Sequence, residues 1–329
     1  MGIDTLLQLG YPRNLLGRRV DQEFVDQITR CANPLADKLH EKNHSTDYPE
    51  WFGGLCDAAL SCYLAKDGST LKPTISYETS QIPAAYVLLG SLGRFGDWPK
   101  PRLKGYPESE TSTIAVATKK QDIIDALIGA TRHSIFSQRI LRNLLLYKGD
   151  YDREEDIQSA ISRFREARST NISETDQHLI TPAYIAGWID AGKIGINICP
   201  ERNPSNTEQL TFRPMITFGY RNGLGAQISR LYGGSLRPDG TAIISKAEFV
   251  LYFCDDVAPH LVTRPEVAVL HALSTEKLTR IARDEGQVHL AADETVGYDC
   301  YTAFCELTGA KAASLEELKQ NLIISAEVS

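Results

Sequence analysis

Two apolar stretches constrain this chain more than any other feature: EWFGGLCDAALSCYL at 50–64 and YIAGWIDAGKIGINI at 184–198. In each, small residues recur at i and i+4, Gly54 with Ala58 and Gly187 with Ala191. That spacing puts them on one helical face, where two backbones can approach closely. A tight helix–helix core would explain the glycines by itself. Two copies about one domain-length apart say more, because they point to an internal duplication.

The flanking patterns repeat as well. In the first copy, Pro49–Leu64 reads as an apolar helix. Strands follow at Thr70–Thr79, Lys100–Lys104 and Thr111–Thr118, with helices at Ile82–Leu92, Lys120–Thr131 and Phe136–Tyr147. In the second, a helix at Pro182–Gly192 runs into a strand at Lys193–Cys199. A polar loop at Glu201–Gln209 precedes a strand at Leu210–Arg221. Leu224–Tyr232 is helical, Leu236–Ile244 holds a Pro-Asp-Gly turn, and Ala247–Val257 and Pro265–Leu273 are helices. The order helix–strand–strand–helix–strand–strand–helix–helix, met twice, predicts an α+β pseudo-dimer with antiparallel sheets. The expected segments are a helical extension over 1–48, repeat 1 over 49–150 and a helical linker over 151–181. Repeat 2 spans 182–279, and an acidic helical extension spans 280–329. Ser314 and Glu317 in the last segment are spaced for a capping box.

Net charge is −7 over 329 residues, which argues against a nucleic-acid binder until its distribution is read. Residues 49–150 carry 12 basic and 10 acidic side chains, and residues 182–279 carry 9 of each. The acidic excess sits in 151–181 and 280–329, so a basic face on either central block stays possible. The seven cysteines form no C-x-x-C pair and read as free thiols, mostly buried. No run approaches the roughly 18 apolar residues of a membrane span. The start shows neither a signal-peptide nor a clear transit-peptide pattern. The seven histidines show no metal spacing.

On FGGLCDAAL (52–60), IAGWIDAGKIGINI (185–198), RLYGGSL (230–236) and LVTRPEVAVLHAL (261–273), the chain resembles the LAGLIDADG homing endonucleases and maturases in their two-repeat, single-chain form. The resemblance covers about 49–275, and the second copy matches better. It implies a pseudo-twofold fold in which each repeat is a curved antiparallel sheet with helices packed on one face. The motif helices meet at the centre, and the sheets lie in the major groove of DNA. Cutting in the family needs a carboxylate at the foot of each motif helix, the pair holding divalent metals. Ala59 matches the first of these positions. At the second, either Gly192 occupies the place or one residue is deleted. Neither Ala nor Gly can ligate a hard cation. The expectation is therefore no catalytic acid, no metal, no cofactor and no enzyme. Asp57 and Asp190 match an earlier motif aspartate with a structural role near the helix ends. A shift of Asp190 into the acid position is the conceivable rescue.

Lys72 shares a strand face with Thr74, and Lys100, Arg102 and Lys104 alternate along another strand, so each set presents one side. Arg213 and Arg237 are the second-copy counterparts, and Arg264 stands where the family carries a basic residue near the active site. These seven are the candidates for contacting phosphates. An ordinary solvated strand face is the competing explanation. The expected function is nucleic-acid binding, to structured RNA (as a splicing maturase or a ribonucleoprotein or ribosome component) or to DNA. The alternatives are a structural or assembly subunit that uses the fold for protein contacts, and an endonuclease with a displaced acid. The resemblance also implies an organelle, mitochondrion or chloroplast.

Overall fold

The computed structural model describes residues 38–64, 71–78, 102–104, 113–117, 131–138, 172–192, 194–203, 206–219, 223–283, 294–308 and 310–327. Isolated helical positions at 129, 159, 162 and 166 are also described. The expected helices at 82–92, 120–131 and 136–147 lie largely or wholly outside these residues, as do most of the expected helical linker over 151–181 and Lys100. The chain divides into two compact units. One is Met1–Lys193 with His260–Thr263, and the other is Ile194–Pro259 with Arg264–Ser329.

The first unit is built on two helices, α1 (Tyr48–Ala59) and α2 (Pro182–Asp190). Both are apolar nearly all round and are buried all round, as such helices must be. Pro182 opens α2, where its missing N–H costs nothing. The Thr181 hydroxyl caps α2 by accepting from the Tyr184 N–H at 3.2 Å and donates to Glu50 of α1 at 2.7 Å. The sequence predicted one helix over Pro49–Leu64, but the helix stops at Ala59. Leu60–Leu64 becomes strand β1, paired antiparallel with β2 (Leu71–Glu78). Ladder pairing overrode the helical period in this short, ambiguous apolar run. With β3 (Arg102–Lys104) and β4 (Thr113–Ala117), these strands form an antiparallel sheet of order β1-β2-β4-β3.

The second unit repeats that order. Strands β5 (Gly195–Asn203), β6 (Asn206–Phe218), β7 (Ser235–Leu236) and β8 (Ala242–Ile244) form an antiparallel sheet of order β5-β6-β8-β7. The expected loop at 201–209 is mostly strand. β5 runs on to Asn203 and β6 starts at Asn206, with a register shift at Arg202/Asn203. Its polar composition looked like a loop, but an antiparallel sheet can carry a polar face.

Helices α3 (Leu224–Tyr232) and α4 (Ala247–Val257) keep their expected bounds. α5 (Glu266–Arg283) outruns its expected end at Leu273. Ile216 and Phe218 of β6 are fully buried, and Phe218 meets Phe253 of α4 edge-on at 5.9 Å between ring centres. The C-terminal helices α6 (Glu294–Thr308) and α7 (Leu315–Glu327) dock on the same sheet. Phe212 packs 6.2 Å from Tyr298 and 5.8 Å from Tyr301, centre to centre. Glu294 accepts from the Leu210 N–H at 2.7 Å and pairs with Lys319 at 2.9 Å. The Ser314–Glu317 capping box forms with reciprocal bonds of 2.8 and 3.2 Å. Among the described cysteines, Cys56, Cys254 and Cys305 are buried free thiols, and Cys199 and Cys300 are half-buried.

Candidate nucleic-acid interface

The small-residue faces of α1 and α2 meet backbone to backbone. A Cβ on Gly54 would stand 1.9 Å from the Tyr184 carbonyl oxygen, and one on Gly187 would stand 2.0 Å from that of Trp51. Hydrogen alone fits at these two positions. Ala58 and Ala191, the other small residues of the repeated motif, are buried.

Asp57 and Asp190, near the C-terminal ends of the two helices, have their oxygens fully engaged. Asp57 accepts from the N–H groups of Ile135 (2.6 Å), Phe136 (3.1 Å) and Ser137 (2.6 Å), and from the Tyr184 hydroxyl (2.8 Å). Asp190 accepts from the N–H groups of Val262 (2.9 Å) and Thr263 (2.8 Å), the Thr263 hydroxyl (2.6 Å) and the Trp51 indole (2.8 Å). Burial pushes both carboxyls above the usual range, and these bonds oppose it. Burial and the Asp57 charge raise the Tyr184 hydroxyl well above its ordinary value, so it stays a donor. Each aspartate fixes a distant loop against its helix. Oxygens so occupied have no lone pairs directed at a cation.

Ala59 closes α1 and is 5% exposed. Gly192 follows α2 with φ 69°, and its N–H bonds the Ile189 carbonyl at 2.8 Å. Among the described residues, no group of three or more His, Cys, Asp or Glu side chains is arranged to hold a metal ion. No helix there is long and apolar enough to cross a membrane.

In the first sheet, register decides which positions share a face. Arg102 pairs with Ala115, which pairs with Ser76, and Lys104 pairs with Thr113, which pairs with Glu78. Lys72 and Thr74 have the same parity as Ser76 and Glu78 along β2. Lys72, Arg102 and Lys104 therefore stand at positions of one sheet face. In the second sheet the open face carries Gly195 and Asn197, both exposed, and Thr211, Arg213, Met215 and Thr217, all half-buried. Arg213 is tied to Glu201 at 2.5 Å. Arg237 is exposed just after β7, and its N–H donates to the Thr241 carbonyl at 2.8 Å. Arg264 pairs with Glu266.

The carboxylates that hold Arg213 and Arg264, and the donors Trp51 and Tyr184, went unread in the sequence. One signal for the donors was available: each aromatic stands the same number of positions ahead of its repeat's motif aspartate.

No protein-family model and no curated relative matches the chain. Solved structures do. The LAGLIDADG meganuclease I-AabMI bound to uncleaved DNA matches at TM-score 0.50 and 9% identity, over 80% of this chain and 99% of that one. The LAGLIDADG homing endonuclease I-LtrWI bound to target DNA matches at TM-score 0.51 and 10% identity, over 80% and 97%. I-SmaMI bound to uncleaved DNA with calcium ions matches at TM-score 0.50 and 11% identity, over 80% and 99%. This comparison corrects the expectation that the chain is no enzyme. That expectation rested on Ala59 and Gly192 alone, whereas the proteins sharing the fold are nucleases. The chain has the fold of the two-domain, single-chain LAGLIDADG homing endonucleases.

Proposed function

We propose that this chain binds nucleic acid, holding its phosphates against the polar faces of the two antiparallel sheets. The observation that carries the reading is the fold, shared over 80% of the chain with endonucleases that hold DNA. Support comes from Lys72, Arg102 and Lys104 at register positions of one face, with Lys100 nearby in sequence. In the second repeat, Arg213, Arg237 and Arg264 would contribute. The balanced charge of residues 49–150 and 182–279 supports it too, since the acid lies elsewhere.

The finer reading is a structured RNA, bound as a splicing maturase or a ribonucleoprotein component binds it. Duplex DNA is the competing ligand, favoured by what the fold's neighbours hold. The test titrates the full chain with a duplex DNA and a hairpin RNA of about 30 base pairs over a range of salt. Binding is expected to fall steeply with salt, log K dropping by roughly 0.9 log[salt] for each phosphate neutralised on a duplex. The tighter ligand identifies the class. Loss of salt dependence on both ligands would reject the reading in favour of a protein-contact scaffold.

A further inference from the structure

Arg264 is the non-glycine residue with a left-handed backbone among the described residues, at φ 69°. Such a conformation is disfavoured for any residue with a Cβ, and it persists only where the surroundings impose it. Two ties impose it here. The Arg264 carbonyl accepts from the Val267 N–H at 3.1 Å in the first turn of α5. The guanidinium Nε donates to the Glu266 carboxylate. Glu266 is only 4% exposed, and the Arg264 side chain is 19% exposed. A carboxylate this buried must be hydrogen-bonded or paired, and Nε of the Arg264 guanidinium supplies a charged donor. The terminal nitrogens make no bond among the described residues, so the planar fork is left for a second anion.

We propose that Glu266 is a positioning residue: its buried carboxylate grips Nε and fixes the Arg264 fork for one phosphate of a bound nucleic acid. This rests on the nucleic-acid reading above. A carboxylate beside a phosphate site repels the ligand, so geometry is what Glu266 returns.

Two variants of equal charge separate geometry from repulsion. Glu266→Gln keeps an acceptor for Nε, whereas Glu266→Met removes it and fills the same space. With the full chain and the better of the two nucleic-acid probes, Glu266→Gln is expected to bind at least as tightly as wild type. Glu266→Met is expected to bind roughly tenfold more weakly than Glu266→Gln, as the loss of an oriented charged hydrogen bond predicts. In an Arg264→Gly background, which also relieves the left-handed strain, the difference should vanish and the salt slope should shrink by about one phosphate. Equal affinities for the Gln and Met variants, or a difference that survives Arg264→Gly, would overturn the proposal. Should wild type bind neither nucleic acid, the broader reading fails. The pair is then read by inorganic phosphate, which should raise the melting temperature of wild type more than that of Arg264→Gly. Equal shifts in that assay would sink the proposal on its own.

Discussion

The Trp51 indole N–H reaches the buried Asp190 carboxylate at 2.8 Å, so a side chain of α1 completes the carboxylate of α2. The reverse holds at Asp57, which accepts from the Tyr184 hydroxyl of α2 at 2.8 Å. Trp51 and Tyr184, Gly54 and Gly187, and Asp57 and Asp190 are separated by one and the same sequence interval. Each copy of the motif thus finishes the hydrogen-bond shell of the other.

Trp51→Phe removes the donor and leaves a buried carboxylate oxygen short of a partner. The expected loss is about 1–3 kcal/mol of unfolding free energy, read by urea denaturation. Tyr184→Phe should cost less, because the Asp57 oxygen it leaves still accepts from two backbone N–H groups, Ile135 and Phe136, whereas the Asp190 oxygen that Trp51 leaves keeps only that of Val262.

Gly54→Ala and Gly187→Ala should each do far more damage. The new methyl would meet backbone carbonyl oxygen at 1.9 and 2.0 Å, and backbone cannot rotate away as a side chain can. More than about 4 kcal/mol is expected, enough to prevent a cooperative thermal transition by circular dichroism.

Asp47 gives the fold an acid-sensitive element. Burial raises its pKa, but bonds from Lys42, Ser45 and His260 and the Lys42 charge outweigh this, lowering it from 3.8 to about 2. Lys42 and His260 each approach its Oδ2 at 2.5 Å. A carboxyl depressed in the folded state stabilises it above the unfolded value, and that contribution is lost as pH falls from 3.8 towards 2. The wild-type urea midpoint should drop across that window. The drop should be shallower in Asp47→Asn, which starts lower at neutral pH.

Replacing Lys72, Arg102 and Lys104 together by Ala tests the first sheet. If each neutralises one phosphate of a duplex, the slope of log K against log[salt] should shrink by about 3, with the melting temperature nearly unchanged. An unaltered slope would remove this face from the interface.

Ser314→Ala removes the half of the α7 capping box in which the hydroxyl accepts from the Glu317 N–H, and keeps the Ser314 N–H that donates to Glu317. About 1 kcal/mol of stability should be lost. The effect should show as faster hydrogen exchange in α7, with nucleic-acid affinity unaltered.

The order of elements in the second repeat was legible because each element is signalled within its own few residues. Helices α3 and α4 stand at their expected bounds, and the Pro-Asp-Gly turn at 238–240 separates β7 from β8. Two local readings failed where pairing outweighed pattern. Leu60–Leu64 left the helix for a ladder with β2, and the polar run after Cys199 stayed in β5 opposite β6. The candidate site was less legible. Arg213 could be named as a cation on a strand face, but not that Glu201, on the neighbouring strand, would hold it.

By itself the sequence determined the duplication, the helix that opens each copy, the capping box at 314–317 and the Pro-Asp-Gly turn at 238–240. These depend on periodicity and on bonds spanning a few positions. Only the tertiary structure decided where the buried carboxylates spend their hydrogen bonds. The loop N–H groups bonded to Asp57 and Asp190 lie some 70 to 80 residues along the chain, and a carboxylate carries no label for its donor until folding brings one within 3 Å.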